Sequence, residues 1–227
     1  MTDCMDSASL PEPYYDDGIV TLYHGDCREI LPAIRADVMV TDPPYGYGYA
    51  SNKDGRFKAQ QIANDADTTL RDWALEAWDG PALVFGSWKA PRPRAATNLL
   101  VWDKGDWVGM GDLSLPWGHS HEEIYILGRG FTTTEKRVGS VLRFQNVVSW
   151  SGQGQRTHPN EKPLKLMRHL VARCPEGTIV DPFAGSGSTL RAAKDLGRRA
   201  IGIEVEEGFC EVAASRMGQE VLFGDAA

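Results

Sequence analysis

Cysteine is scarce in this chain. Cys4, Cys27, Cys174 and Cys210 are the four present in 227 residues, and no two sit close enough to make a CxxC metal or redox motif. Long apolar runs are absent as well: none approaches the roughly 18 residues of a membrane span. The first 17 residues hold five acids and no base and have no apolar h-region, so they do not read as a signal peptide. These absences predict reduced thiols, a cytoplasmic location and no membrane partner, with a Cys27–Cys210 disulfide as the poorer alternative. Internal repeats and low-complexity tracts are also missing. The length suits a single domain over residues 1–227 with a core that needs no staples.

Positive charge is in short supply overall but concentrated. The formal net charge is −7, yet residues 129–173 carry nine bases against Glu135 and Glu161. A smaller cluster is Lys89, Arg92 and Arg94. An acidic protein with one basic stretch can grip a polyanion locally, and the same stretch is equally compatible with a solvated basic surface.

The pattern along the chain alternates strands and helices. Strands are expected at Gly18–Tyr23, Asp37–Thr41, Ala82–Phe85, Asn98–Trp102, Glu123–Leu127, Thr178–Val180 and Ala200–Glu204. Helices are expected at Cys27–Ala36, Thr69–Trp78, Leu164–Ala172, Thr189–Leu196 and Gly208–Met217. The first 17 residues should lie loosely on the surface. Residues 46–66 read as a long mobile loop and 128–157 as an irregular basic segment. The alternation predicts an α/β fold with a doubly wound, mostly parallel sheet. Most tryptophans, among them Trp73, Trp78, Trp88 and Trp102, read as core.

Three motifs carry chemistry. Asp181-Pro-Phe-Ala-Gly-Ser-Gly-Ser-Thr189 lies between a strand and a helix, where Gly185 and Gly187 allow a tight turn and the helix offers unpaired N–H groups. Glu204 closes the next strand, 23 residues after Asp181, near the spacing of an acid that grips ribose hydroxyls. Leu190 stands where a dinucleotide fingerprint would have its third glycine, which suits a single-nucleoside cofactor better than NAD. Thr41-Asp-Pro-Pro-Tyr45 ends an apolar strand. Its Asp42 carboxylate, Pro43 carbonyl and Tyr45 ring suit a planar ring bearing an amino group; in isolation it would equally serve as a Pro-Pro strand terminator. His158-Pro-Asn-Glu-Lys-Pro163 precedes a helix, with Pro163 at a good first position. His119-Ser-His-Glu-Glu123 could ligate a metal but lacks a second cluster, so no metal is expected.

Together, in this order, the motifs resemble those of the S-adenosylmethionine-dependent amino-group DNA methyltransferases, the adenine-N6/cytosine-N4 family, in its permuted β group. Tyr23-His-Gly-Asp26 and Gly197-Arg-Arg-Ala-Ile-Gly-Ile-Glu204 agree, so the likeness spans roughly residues 18–217. It implies a permuted Rossmann-like fold with a seven-stranded sheet, and S-adenosyl-L-methionine as cofactor. Asp181, Phe183, Ala184, Gly185, Ser186, Gly187, Ser188, Thr189 and Lys162 would form the cofactor site, with Glu204 at the ribose and Asp26 toward the adenine end. Asp42, Pro43, Pro44 and Tyr45 would form the catalytic corner that holds a flipped-out base. Asn160 and Glu161 depart from the threonine and glutamine of many relatives.

Aspartate at position 42 resembles the adenine enzymes more than the cytosine ones, where serine is frequent. Adenine N6 is therefore the expected target, with cytosine N4 the alternative, and a non-catalytic nucleic-acid-binding module of the same fold a further one. Double-stranded DNA is the implied partner. The 46–66 loop and the 128–157 target-recognition insert are expected to contact it through Lys53, Arg56, Lys58, Lys136, Arg137 and Arg143. Relatives in this group often pair, which makes a homodimer an expectation of the resemblance; a partner restriction nuclease is left open.

Overall fold

A computed structural model describes residues 10–46, 67–105, 114, 116–132, 136–145 and 161–219. Nine strands pair into one sheet among these residues: β1 (Tyr15–Asp16), β2 (Val20–His24), β3 (Val38–Thr41), β4 (Ala82–Gly86), β5 (Ala96–Asp103), β6 (His121–Leu127), β7 (Val141–Arg143), β8 (Ile179–Asp181) and β9 (Ala200–Glu204). Their order across the sheet is β1-β2-β9-β8-β3-β4-β6-β5-β7. Only β1 and β6 run against their neighbours. The described residues also form five α-helices: α1 (Cys27–Ile30), α2 (Thr69–Glu76), α3 (Leu164–Val171), α4 (Ser188–Asp195) and α5 (Glu207–Met217).

The central strands β3, β4 and β8 are buried on both faces, as the parallel part of such a sheet must be. All four residues of β3 are buried, and they alternate in destination. Val38 and Val40 face α3, α4 and α5, where they join Leu166, Leu170, Ala193 and Met217; Met39 faces the opposite side with Cys27, Ile30 and Ala74 of α1 and α2. This is the doubly wound, mostly parallel α/β architecture expected from the alternation of elements. Among the described residues, no helix is long and apolar enough to cross a membrane.

Several local expectations are corrected. The seven expected strands are all present, and β1 and β7 add one short strand at each edge of the sheet. Part of the N-terminal stretch is therefore ordered: Tyr15 pairs with Leu22, and Asp17 accepts from the amides of Ile19 and Val20. Strand β7 lies within the segment expected to be irregular and pairs parallel with β5, with Leu142 buried between two exposed residues. The helix expected over 27–36 stops at Ile30 and continues as a 3-10 turn, Leu31–Ala33. Pro32 explains this, because it brings no N–H and its ring crowds the preceding turn. Cys27, Cys174 and Cys210 are buried free thiols, so the Cys27–Cys210 disulfide is not formed. Trp102 is in the core, but Trp88 is 58% exposed.

Candidate active site

The carboxyl ends of β2, β9, β8 and β3 lie side by side. From β3 the chain moves through α2 to β4 on one side; from β8 it moves through α4 to β9 on the other. The crevice between β3 and β8 is thus the topological switch point, where open α/β sheets place their ligands. Asp42-Pro-Pro-Tyr45 leaves β3 at this point, and Asp181-Pro-Phe-Ala-Gly-Ser-Gly187 leaves β8. The two motifs are joined directly: the Thr41 hydroxyl donates to Asp181 Oδ1 at 2.8 Å.

On the β8 side the turn is built for close approach. Asp181 Oδ1 also accepts from the Phe183 amide at 3.1 Å. Burial pushes the Asp181 carboxyl up to about 6, while the hydroxyls of Thr189 and Thr41 pull the other way. Gly187 caps α4 with φ +78°, in the left-handed region that favours glycine, and a Cβ there would lie 3.0 Å from Ala213 Cβ. Gly185 (φ +50°) has open space where a Cβ would point. Glu204 at the end of β9 accepts from the Gly185 amide at 2.7 Å and from the Glu206 amide at 2.8 Å. Burial raises its carboxyl above the ordinary range. Ala184, Ser186, Ser188 and Thr189 are buried in the turn and the first turn of α4. Asp26 lies just past β2, caps α1 through the Arg28 amide at 2.8 Å and pairs with the Arg28 guanidinium; the adjacent Gly25 amide donates to the Glu204 carbonyl.

The β3 side is organised by charge. Tyr45 Oη donates to Asp42 Oδ1 at 2.5 Å, and Lys162 Nζ stands 2.7 Å from Asp42 Oδ2. The same ammonium lies 2.9 Å from Glu122 Oε2, and Glu122 Oε1 is 2.5 Å from Lys104 Nζ. Burial alone would neutralise Lys162, but Asp42 and Glu122 hold its ammonium well above the usual lysine range. Glu122, partly buried beside it, is held below its ordinary carboxylate value by the two lysines.

Lys162, expected at the cofactor, thus has its ammonium at the Asp42 corner. Glu122 and Lys104 were not expected to take part; the only sequence signal for Glu122 was its place in the His119–Glu123 run. Two other members of that run are engaged elsewhere: His119 with the Trp88 indole N–H at 3.3 Å, Glu123 with Arg92 at 2.9 Å. Of the residues expected to contact DNA, Lys136 and Arg137 are exposed, and Arg143 on β7 is exposed and pairs with Asp103 at 2.9 Å. Lys53, Arg56 and Lys58 lie outside the described residues, as do most of the 46–66 loop and residues 146–157 of the insert.

A family model described as DNA methylase matches residues 91–215. The Type II methyltransferase M2.DpnII of Streptococcus pneumoniae is 33% identical, with 93% of this chain and 94% of that protein covered. Among solved structures, the M1.HpyAVI–SAM complex superposes with a TM-score of 0.63 at 21% identity, covering 88% of this chain and 100% of the other. The cytosine-N4-specific PvuII DNA methyltransferase superposes with a TM-score of 0.65 at 16% identity, covering 93% and 90%. These two structures share the fold described above.

Proposed function

Because the chain belongs to the amino-group DNA methyltransferases of the N6/N4 family, we propose that it transfers the methyl group of S-adenosylmethionine to the N6 amino group of an adenine flipped out of duplex DNA. The observation that carries this reading is the junction of the two motifs: the Asp42–Tyr45 corner and the Asp181–Gly187 turn open into one crevice, tied by the Thr41–Asp181 hydrogen bond. The solved M1.HpyAVI–SAM complex supports the cofactor, and the Type II designation of M2.DpnII supports a role in restriction-modification.

The turn fits such a cofactor. Open space lies beside Gly185, and the Glu204 carboxylate next to it offers acceptors for two hydroxyls of a ribose. When bound, S-adenosylmethionine supplies an electrophilic methyl on a sulfonium. The target amino group is out of reach inside a duplex, and extrusion costs a few kcal/mol, partly offset by stacking on the Tyr45 ring. The amino lone pair is shared with the purine ring and is a weak nucleophile. Hydrogen bonds from its N–H groups to Asp42 and the Pro43 carbonyl localise that pair on nitrogen. As the nitrogen's bond to the methyl forms, the sulfonium S–CH3 bond would break to leave a neutral thioether, the N–H proton would pass to solvent, and in-line placement supplies much of the rate. Aspartate at the head of the corner supports adenine.

The test is incubation of the purified chain with labelled S-adenosylmethionine and unmodified duplex DNA, followed by nucleoside mass spectrometry. N6-methyladenine is the expected product. N4-methylcytosine would overturn the choice of base, and no label in DNA would overturn the activity.

A further inference from the structure

The catalytic corner rests on a row of alternating charges centred on the buried Lys162: Asp42, Lys162, Glu122 and Lys104, at successive separations of 2.7, 2.9 and 2.5 Å. The four come from four places: the end of β3, the segment entering α3, the start of β6 and the end of β5. Aromatic faces wall the row, with Lys162 Nζ 4.9 Å from the Phe85 ring centre and Lys104 Nζ 4.9 Å from that of Trp102. The Lys162 side chain is 8% exposed and that of Glu122 17%. Charges in such a site act on one another more strongly than in water.

A lysine facing Asp42 alone in that setting would close on it as an isolated pair. Asp42 would then have little negative charge left for a substrate amino group. Glu122 changes this by drawing the same ammonium from the other side. Lys104 balances Glu122 from one step further away.

We propose that Glu122 is a positioning residue for methyl transfer: it divides the Lys162 ammonium between two carboxylates, so that Asp42 is fixed in place yet keeps the charge needed to accept from the target amino group. This rests on the reading of Asp42 as that acceptor. The reacting nitrogen becomes more positive as the methyl arrives, so the charge left on Asp42 stabilises the transition state more than the ground state. Among the described residues, the groups that face Asp42 are the Tyr45 hydroxyl, Lys162 and, across the crevice, Asp181; Glu122 and Lys104 act through Lys162.

The test is Glu122→Gln, which keeps the shape and removes the charge. Single-turnover transfer at saturating cofactor and DNA should fall on the order of 10- to 100-fold. Affinity for S-adenosylmethionine should stay near wild type, and Glu122→Asp should recover part of the rate. A second readout does not depend on activity: the carboxyl carbon of Asp42, followed by NMR and assigned by its loss in Asp42→Asn, should titrate at lower pH in Glu122→Gln than in wild type. An unmoved Asp42 titration overturns the proposal, and so does a rate that falls only in step with cofactor affinity. If the wild-type chain methylates no DNA, the functional reading fails, and the Asp42 titration alone decides whether the coupling exists. If Glu122→Gln does not fold, Lys104→Met reads the same row with the opposite sign. Its Asp42 titration should move to higher pH, and no movement overturns the proposal.

Discussion

Thr41 and Asp181 stand at the ends of neighbouring parallel strands, and their side chains meet 140 residues apart in the chain. Asp181 is buried there, and burial outweighs the Thr41 hydrogen bond and raises its carboxyl from 3.8 to about 6. The native chain therefore holds a proton that the unfolded chain has released between those values. Stability falls as pH rises through this window, and at neutral pH the ionised group costs on the order of 3 kcal/mol. Asp181→Asn keeps an acceptor for Thr41 and Phe183 but does not titrate. The stability difference between wild type and this variant, measured by urea unfolding, should move against wild type between pH 4 and 6 and level off above. A difference independent of pH would mean that Asp181 is ionised throughout.

The two glycines of the turn should respond differently to alanine. Both have positive φ, which costs an L-residue about 1–2 kcal/mol. At Gly187 the new methyl also lies 3.0 Å from Ala213 Cβ and close to Met217, so α4 and α5 must give way; at Gly185 it meets no atom within 4 Å. Gly187→Ala should lower the unfolding free energy more than Gly185→Ala. Equal losses would show that the α4–α5 contact yields freely.

How far these features could be read in advance depends on how local they are. The Asp42–Tyr45 corner and the Asp181–Thr189 turn are contiguous and follow apolar strands, so their chemistry and context are visible together. Strands β1 and β7 have two and three residues, too short to show an alternating pattern, and exist because a neighbouring strand offers them partners. Glu122 gains its role from Lys162, which is 40 positions away, and only folding shows that pairing. Trp88 has the same side chain as Trp102, but it follows β4 at the rim of the sheet whereas Trp102 lies within β5; composition cannot separate them.

Asp42→Ala should reduce methyl transfer on the order of 1000-fold, the loss expected when a group aimed at developing charge is removed. Cofactor affinity should change little, because the Gly185–Glu204 contact lies on the other side of the crevice and does not pass through Asp42. Lys162 keeps Glu122 as its partner, so the variant should fold. Rapid-quench transfer and calorimetric titration of S-adenosylmethionine separate the two effects. Equal losses in both would mean that corner and turn do not divide the work.

Glu204→Gln should weaken cofactor binding without abolishing folding. The carboxylate now satisfies two backbone donors, the amides of Gly185 and Glu206, one on each oxygen. Glutamine supplies one acceptor and turns an NH2 group toward the other amide. One donor in a buried place then loses its partner, at a cost of about 1–3 kcal/mol. The glycine turn loses its link to β9, and the acceptors expected to meet the ribose hydroxyls are halved. Thermal unfolding should therefore show a modest drop, and calorimetry a clear fall in affinity for S-adenosylmethionine. The drop in stability alone, with unchanged affinity, would restrict Glu204 to bracing the turn and place the ribose elsewhere in the crevice.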